Sequence, residues 1–196
     1  MSRKSAPTPR VSALTDTHAV YGWISILLHW ITAIFLIALW LLGKSILNSD
    51  AAEIDAKRAL HVSFAASIWL IVAFRIAWRF RSGHPQVRGL TVRTHNIAKT
   101  AHYIMLVLLI VMLVSGPVMV WAGGYPVVIF DTLSIPGPIG ASDVLRESAW
   151  SVHSGAALGL LILVVVHIGA ALKHLMFHSD DTIVRMLWPG KNTESQ

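Results

Sequence analysis

The chain has 196 residues, of which 55% are hydrophobic and only 13% charged, with eight tryptophans, ten histidines and no cysteine. Soluble domains carry about a quarter charged residues, so this chain uses lipid as part of its solvent. Without cysteine, disulfide frameworks, thiolate zinc sites, iron–sulfur clusters and haem attached through Cys-x-x-Cys-His are all excluded. The net charge of +6 would suit nucleic acid only as a basic stripe on a soluble fold, and no nucleic-acid partner is expected.

Four apolar stretches, at about 22–42, 59–80, 101–121 and 151–177, approach the roughly 20 residues that a helix needs to cross a hydrocarbon core. The first is not expected to be a cleaved signal peptide, because it begins more than twenty residues in, lacks a small-x-small cleavage site and precedes three similar spans. Most of the tryptophans, Trp23, Trp40, Trp78 and Trp121 among them, fall near span ends, where amphipathic rings settle at the interface. Short connections make sequential helices antiparallel neighbours. The prediction is an all-α membrane protein, a four-transmembrane-helix up-down-up-down bundle over 22–188, between tails at 1–21 and 189–196 that are loose over 1–17 and 190–196. The connection from Ala122 to Trp150 is rich in Gly and Pro and predicts a structured outer loop rather than a fifth span, with a short interfacial helix over Leu145–Trp150.

Orientation follows from the basic residues. Arg3, Lys4, Arg10, Arg75, Arg79, Arg81, Arg88, Arg93, Lys99, Lys173, Arg185 and Lys191 fall on one side with only Asp16, Asp180, Asp181 and Glu194, a balance of +8. Lys44, Lys57, Arg58 and Arg146 fall on the other with Asp50, Glu53, Asp55, Asp131, Asp143 and Glu147, a balance of −2. By the positive-inside rule both termini are cytoplasmic.

Ionisable groups within a membrane are costly and by default functional. His29 lies about seven residues, or roughly 10 Å, into the first span from its cytoplasmic end. His167 lies about ten residues before the cytoplasmic end of the fourth. These two share an inner level. His61 opens the second span and His153 the fourth from outside, so they share an outer level. His153 and His167 are separated by just under four turns, about 21 Å along nearly one helix face. Two imidazoles at each of two depths suit haem iron with paired axial ligands between bundle helices. Zinc or copper is the rival, although two histidines without carboxylate or thiolate are a poor cage for either. An interhelical hydrogen bond is the bland reading of any one histidine.

His102 and His174 instead suggest polar groups of a membrane-depth pocket near the inner surface. Arg75 lies 14 residues after His61, on the same face and one level deeper, where it could pair with haem propionates or bind a polar headgroup. Arg79 and Arg81 suit snorkelling. Gly155 and Gly159 predict either close helix packing or clearance for a flat macrocycle. Gly116 and Pro117 predict a kink in the third helix.

The chain resembles the prokaryotic cytochrome b561 family. The resemblance runs from Tyr21 to about Trp188 through Ile26-Leu27-Leu28-His29-Trp30, His61 with Arg75 and Arg79, Ala101-His102-Tyr103, His153 with His167 and His174, and Asp181-Thr182-Ile183-Val184-Arg185-Met186-Leu187. It implies a bacterial inner-membrane, multi-pass protein with two non-covalent b haems, one on His29 and His167 and the other on His61 and His153. Well-understood members are superoxide oxidases that pass the electron to ubiquinone. The resemblance therefore implies superoxide donation at the outer haem, with Lys57, Arg58 and Arg146 as local cations. Ubiquinone would be reduced near Arg75, His102 and His174, with Arg79 and Lys99 as weaker candidates. The outer balance of −2 does not support long-range steering of an anion.

Two departures bear on this. Relatives often carry a histidine where this chain has Lys99, and a proline where it has Leu113, Pro117 standing here instead. A second function class is an electron-transfer subunit that docks a separate dehydrogenase through the outer loop. A third is a non-redox transporter or structural bundle.

Overall fold

The computed structural model describes residues 14–17, 20–82, 85, 92–177 and 183–189. Four helices dominate it: α1 (Trp23–Leu47), α2 (Ala51–Ser82), α3 (Val92–Ala122) and α4 (Asp143–Phe177). All four are long and apolar enough to cross a membrane. Inside hydrocarbon the backbone must satisfy its own hydrogen bonds, and these runs of Leu, Ile, Val and Ala do so as helices. Their outward faces, including Ile34, Leu70, Val114 and Val165, are exposed, as lipid-facing residues must be.

The helices outlast the apolar windows. The first eight residues of α2 are too polar for lipid but helix-favouring, and Lys57 pairs with Glu53 one turn earlier at 2.7 Å, a spacing that supports an exposed helix. At α4 the hydroxyl of Ser142 accepts the Leu145 N–H at 3.3 Å, an N-cap bond. Leu145–Trp150 is thus the beginning of α4 rather than a separate interfacial helix.

The helices pack as two hairpins, α1 against α2 and α3 against α4, with a smaller contact between α2 and α3. The buried core joins them through Ile68, Val72 and Ile76 of α2, Leu106 and Leu109 of α3 and Leu160 of α4. Gly159 lets α4 approach α3, since a Cβ there would lie 3.3 Å from Leu108, whereas one at Gly155 would meet nothing. Helix α3 runs unbroken through Pro117. Proline lacks the N–H that would reach the carbonyl four residues back, and the Trp69 indole of α2 supplies a substitute, donating to the Leu113 oxygen at 3.0 Å.

One side of the bundle, the termini side, carries the start of α1 and the end of α4, and the other a β-hairpin that the sequence does not announce. Strands β1 (Val127–Ile129) and β2 (Leu133–Ile135) pair antiparallel, Ile129 opposite Leu133. The turn residues Phe130 and Asp131 both have positive φ, 44° and 55°, as primed hairpin turns require. Phenylalanine adopts this at a cost. Ser63 of α2 offsets it by accepting the Phe130 N–H at 3.0 Å, and Phe64 meets the Phe130 ring edge-on at 5.2 Å.

On the termini side the described part of the N-terminal segment is docked rather than loose. Asp16 accepts the Gly22 N–H at 2.8 Å and the Ser25 hydroxyl at 2.7 Å, and pairs with Arg79 of α2 at 3.0 Å. A Cβ at Gly22 would sit 2.5 Å from the Leu14 carbonyl oxygen, so only glycine permits this approach. Arg3, Lys4, Arg10, Arg88, Lys191 and the acidic residues Asp180, Asp181 and Glu194 lie outside the described residues.

Candidate haem sites

On the termini side three helices bring imidazoles together. The ring centres of His29 and His167 are 6.2 Å apart with planes at 59°. Metal–imidazole bonds of about 2 Å at both ends, plus the ring radii, space two axial ligands by about 6 Å. His102 of α3 stands edge-on to His167 at 5.2 Å, so it reaches this level. Arg75 of α2 reaches the same place. Its guanidinium donates to the His29 main-chain oxygen at 3.3 Å and faces His29 Nδ1 at 3.3 Å.

Arg79 points elsewhere. It binds Asp16, donates to Ser25 at 2.7 Å and lies over the Tyr21 ring at 5.1 Å, with Arg185 on the same ring at 5.9 Å. Burial pushes the Tyr21 phenol above its ordinary pKa, against the opposing pull of these two guanidiniums. Trp30 donates to the Met186 oxygen at 2.8 Å, and Trp23 meets Trp188 edge-on at 6.4 Å. Arg79 and Arg185 therefore close the termini end. Lys99 lies over the Tyr103 ring at 6.0 Å. His174 is half-buried in the last turns of α4.

On the hairpin side His61 and His153 are near enough for their charges to interact. Each ring faces a glycine of the adjoining helix: a Cβ at Gly43 of α1 would lie 3.5 Å from His61 Cε1, and one at Gly116 of α3 would lie 3.5 Å from His153 Cε1. His153 Nδ1 is 3.0 Å from the Ser115 hydroxyl. His61 Nδ1 is buried without a well-formed hydrogen bond, and the acceptor beside it is the Leu39 main-chain carbonyl. An apolar cavity of about 270 Å³ adjoins, lined by Ile34, Phe35, Ala38, Leu39, Leu42 and Phe64.

The three cations proposed for superoxide are each offset on their own helix. Lys57 pairs with Glu53 and also donates to Ser49 at 2.6 Å, Arg58 pairs with Asp55 at 2.9 Å, and Arg146 pairs with Asp143 at 3.6 Å.

The donor chemistry fits haem better than a bare ion. Among the described residues no three His, Asp or Glu side chains converge on one metal-sized point, whereas a macrocycle supplies the remaining ligands itself. At both levels the imidazoles belong to opposite helical hairpins, His29 and His61 to one and His153 and His167 to the other. A group held there would be gripped from two sides.

Comparison with known proteins agrees with the sequence resemblance. A family model described as prokaryotic cytochrome b561 matches residues 20–189. Cytochrome b561 homolog 2 of Escherichia coli (strain K12) is 28% identical over 178 residues, covering 89% of this chain and 95% of that protein. Four membrane-length helices, imidazoles gathered at two depths and a match across nearly the whole chain lead to one conclusion: the protein belongs to the prokaryotic cytochrome b561 family of membrane electron-transfer proteins.

Proposed function

We propose that the protein carries electrons from superoxide on its hairpin side to ubiquinone near its termini side, in the bacterial inner membrane with both termini cytoplasmic. His61 and His153 would hold one b haem and His29 and His167 the other. When bound, the two haems supply a one-electron relay across the apolar interior. The observation that carries the reading is the spacing of His29 and His167 across two helical hairpins, with His61 and His153 drawn from the same two hairpins on the other side.

The chain's own groups have assignable work. Arg75, at the His29 level, places a fixed cation where negative charge would arrive. His102, beside His167, is a proton source for a quinone, with His174 and Lys99 nearer the surface. Arg79 pairs with Asp16 and is the weaker candidate for the quinone. Two superoxide anions surrender two electrons and leave as dioxygen; with two protons these convert one ubiquinone to ubiquinol.

The superoxide half rests on the family resemblance rather than on electrostatics, because Lys57, Arg58 and Arg146 are each paired. That pairing, together with exposed Tyr125, Phe130 and Leu133 on the loop, favours a second reading in which a dehydrogenase docks on the hairpin side.

A dithionite-reduced minus oxidised spectrum should show b-type α and Soret bands, and their absence would remove both readings. Superoxide should reduce the purified protein and ubiquinone should reoxidise it without added protein. Reduction only with a co-purifying dehydrogenase would establish the second reading instead.

A further inference from the structure

We propose that Ser115 is a positioning residue for His153, holding its imidazole in the tautomer that leaves Nε2 open to iron. This rests on the reading of His153 as a haem ligand. Ser115 lies on α3 and is 6% exposed. Its Oγ is 2.6 Å from the Val111 carbonyl oxygen and 3.0 Å from His153 Nδ1. A hydroxyl has one proton to give. A carbonyl oxygen can only accept, and a separation at the short end of the hydrogen-bond range places that proton between Ser115 and Val111. Toward His153 the hydroxyl is then an acceptor, so the ring proton sits on Nδ1. A neutral imidazole protonated there carries its lone pair on Nε2.

Two neighbours keep this part of α3 in place. The backbone at Gly116 lies against the His153 ring, a Cβ there being 3.5 Å from Cε1 and 3.8 Å from Nδ1. Trp69 ties the carbonyl that Pro117 leaves without a helical donor. At His29 the group facing Nδ1 is the Arg75 guanidinium, which can only donate, so it is not an accepting partner of the kind Ser115 is. The assignment of Ser115 is thus particular to the hairpin-side site. Partners of this kind orient a ligating ring and raise its basicity, and their loss weakens metal binding by about 10–100-fold.

The test uses the purified haem-loaded protein and the variants Ser115→Ala, Ser115→Thr and His153→Ala. Three readouts are taken: haem per chain, the rate of haem transfer to apomyoglobin, and low-temperature EPR of the ferric protein. His153→Ala should lose one of the two haems. Ser115→Ala should load both but release the hairpin-side haem about tenfold faster or more and shift that haem's low-spin signal. The other haem's signal stays constant and reports an intact fold. Ser115→Thr, which keeps a hydroxyl, should restore the native signal. An unchanged signal and release rate in Ser115→Ala, with one haem lost from His153→Ala, would overturn the role of Ser115 while leaving the ligand reading intact. Equal loss of both haems from Ser115→Ala would overturn it as well, by showing a general packing defect. Two haems retained in His153→Ala would overturn the ligand assignment itself.

Discussion

On the hairpin side His153 Nδ1 faces a serine oxygen that is already donating elsewhere, while on the termini side His29 Nδ1 faces the guanidinium of Arg75. One imidazole is oriented by an acceptor and the other lies under a fixed positive charge. In the proposed di-haem reading this difference sets a direction. A nearby cation disfavours the more positive ferric state, so Arg75 would raise the potential of a haem held at the termini-side site relative to the other. Electrons entering at the hairpin side would run downhill.

The strongest way to break that comparison is to remove the ligands. His167→Ala and His61→Ala should each halve the haem content, measured as pyridine haemochrome per chain. Full retention in either would refute the corresponding pair.

Trp69→Phe comes next. It leaves the Leu113 carbonyl without its donor and should destabilise the protein by about 1–3 kcal/mol, the cost of a polar group left unsatisfied where lipid rather than water surrounds it. Pro117→Ala restores a main-chain N–H at that position, so the double variant should recover stability in thermal unfolding. A double variant no more stable than Trp69→Phe would show that the indole contributes packing alone.

Arg75→Leu should lower the potential of the termini-side haem and leave the other unchanged. At a separation of about 8–10 Å and an effective dielectric near 20, the loss is on the order of 1–2 kcal/mol. Potentiometric titration followed optically reads it, and equal shifts of both haems would erase the contrast between the two sites.

Ser63→Ala removes the side chain that holds the hairpin to α2, a bond of about 0.5–1.5 kcal/mol. Amide exchange at Phe130 should accelerate by a factor of about three to ten, with unchanged exchange showing that Phe64 alone suffices. The smallest effect belongs to Lys57→Gln. With its charge already offset by Glu53, the rate of reduction by superoxide should change less than about twofold, since exposed pairs contribute little. A large loss would restore Lys57 as an anion guide.

Much of the fold is legible in the chain because crossing a membrane is a local property. Length and apolarity locate each span without reference to the others. Depth is legible too, since a helix rises by a constant amount per residue, so counting from the span ends puts His29 level with His167 and Arg75 one level below His61. The partners of these groups are less legible. His102 carries no sign that it stands against His167, because that depends on how α3 rotates against α4. The hairpin turn lacks the glycine or asparagine that usually marks positive φ, and Phe130 is held by Ser63 from a distant helix. Asp16, in a stretch that composition assigns to a tail, is buried because Gly22 lets the chain fold back onto α1.

Ser115 and Trp69 mark the division. Pro117 announces from sequence that the Leu113 carbonyl needs a donor, but not that the donor is an indole from α2. Ser115 looks like an ordinary small residue of a membrane helix. The sequence by itself determined four membrane-length helices, the side that carries the basic residues and the shared depth of His29 and His167, because all three follow from composition and a fixed rise along one chain. Only the tertiary structure decided which groups face each ring, that Arg79 pairs with Asp16, and that Lys57, Arg58 and Arg146 are each paired. Those depend on the rotation and separation of helices, which no single segment encodes.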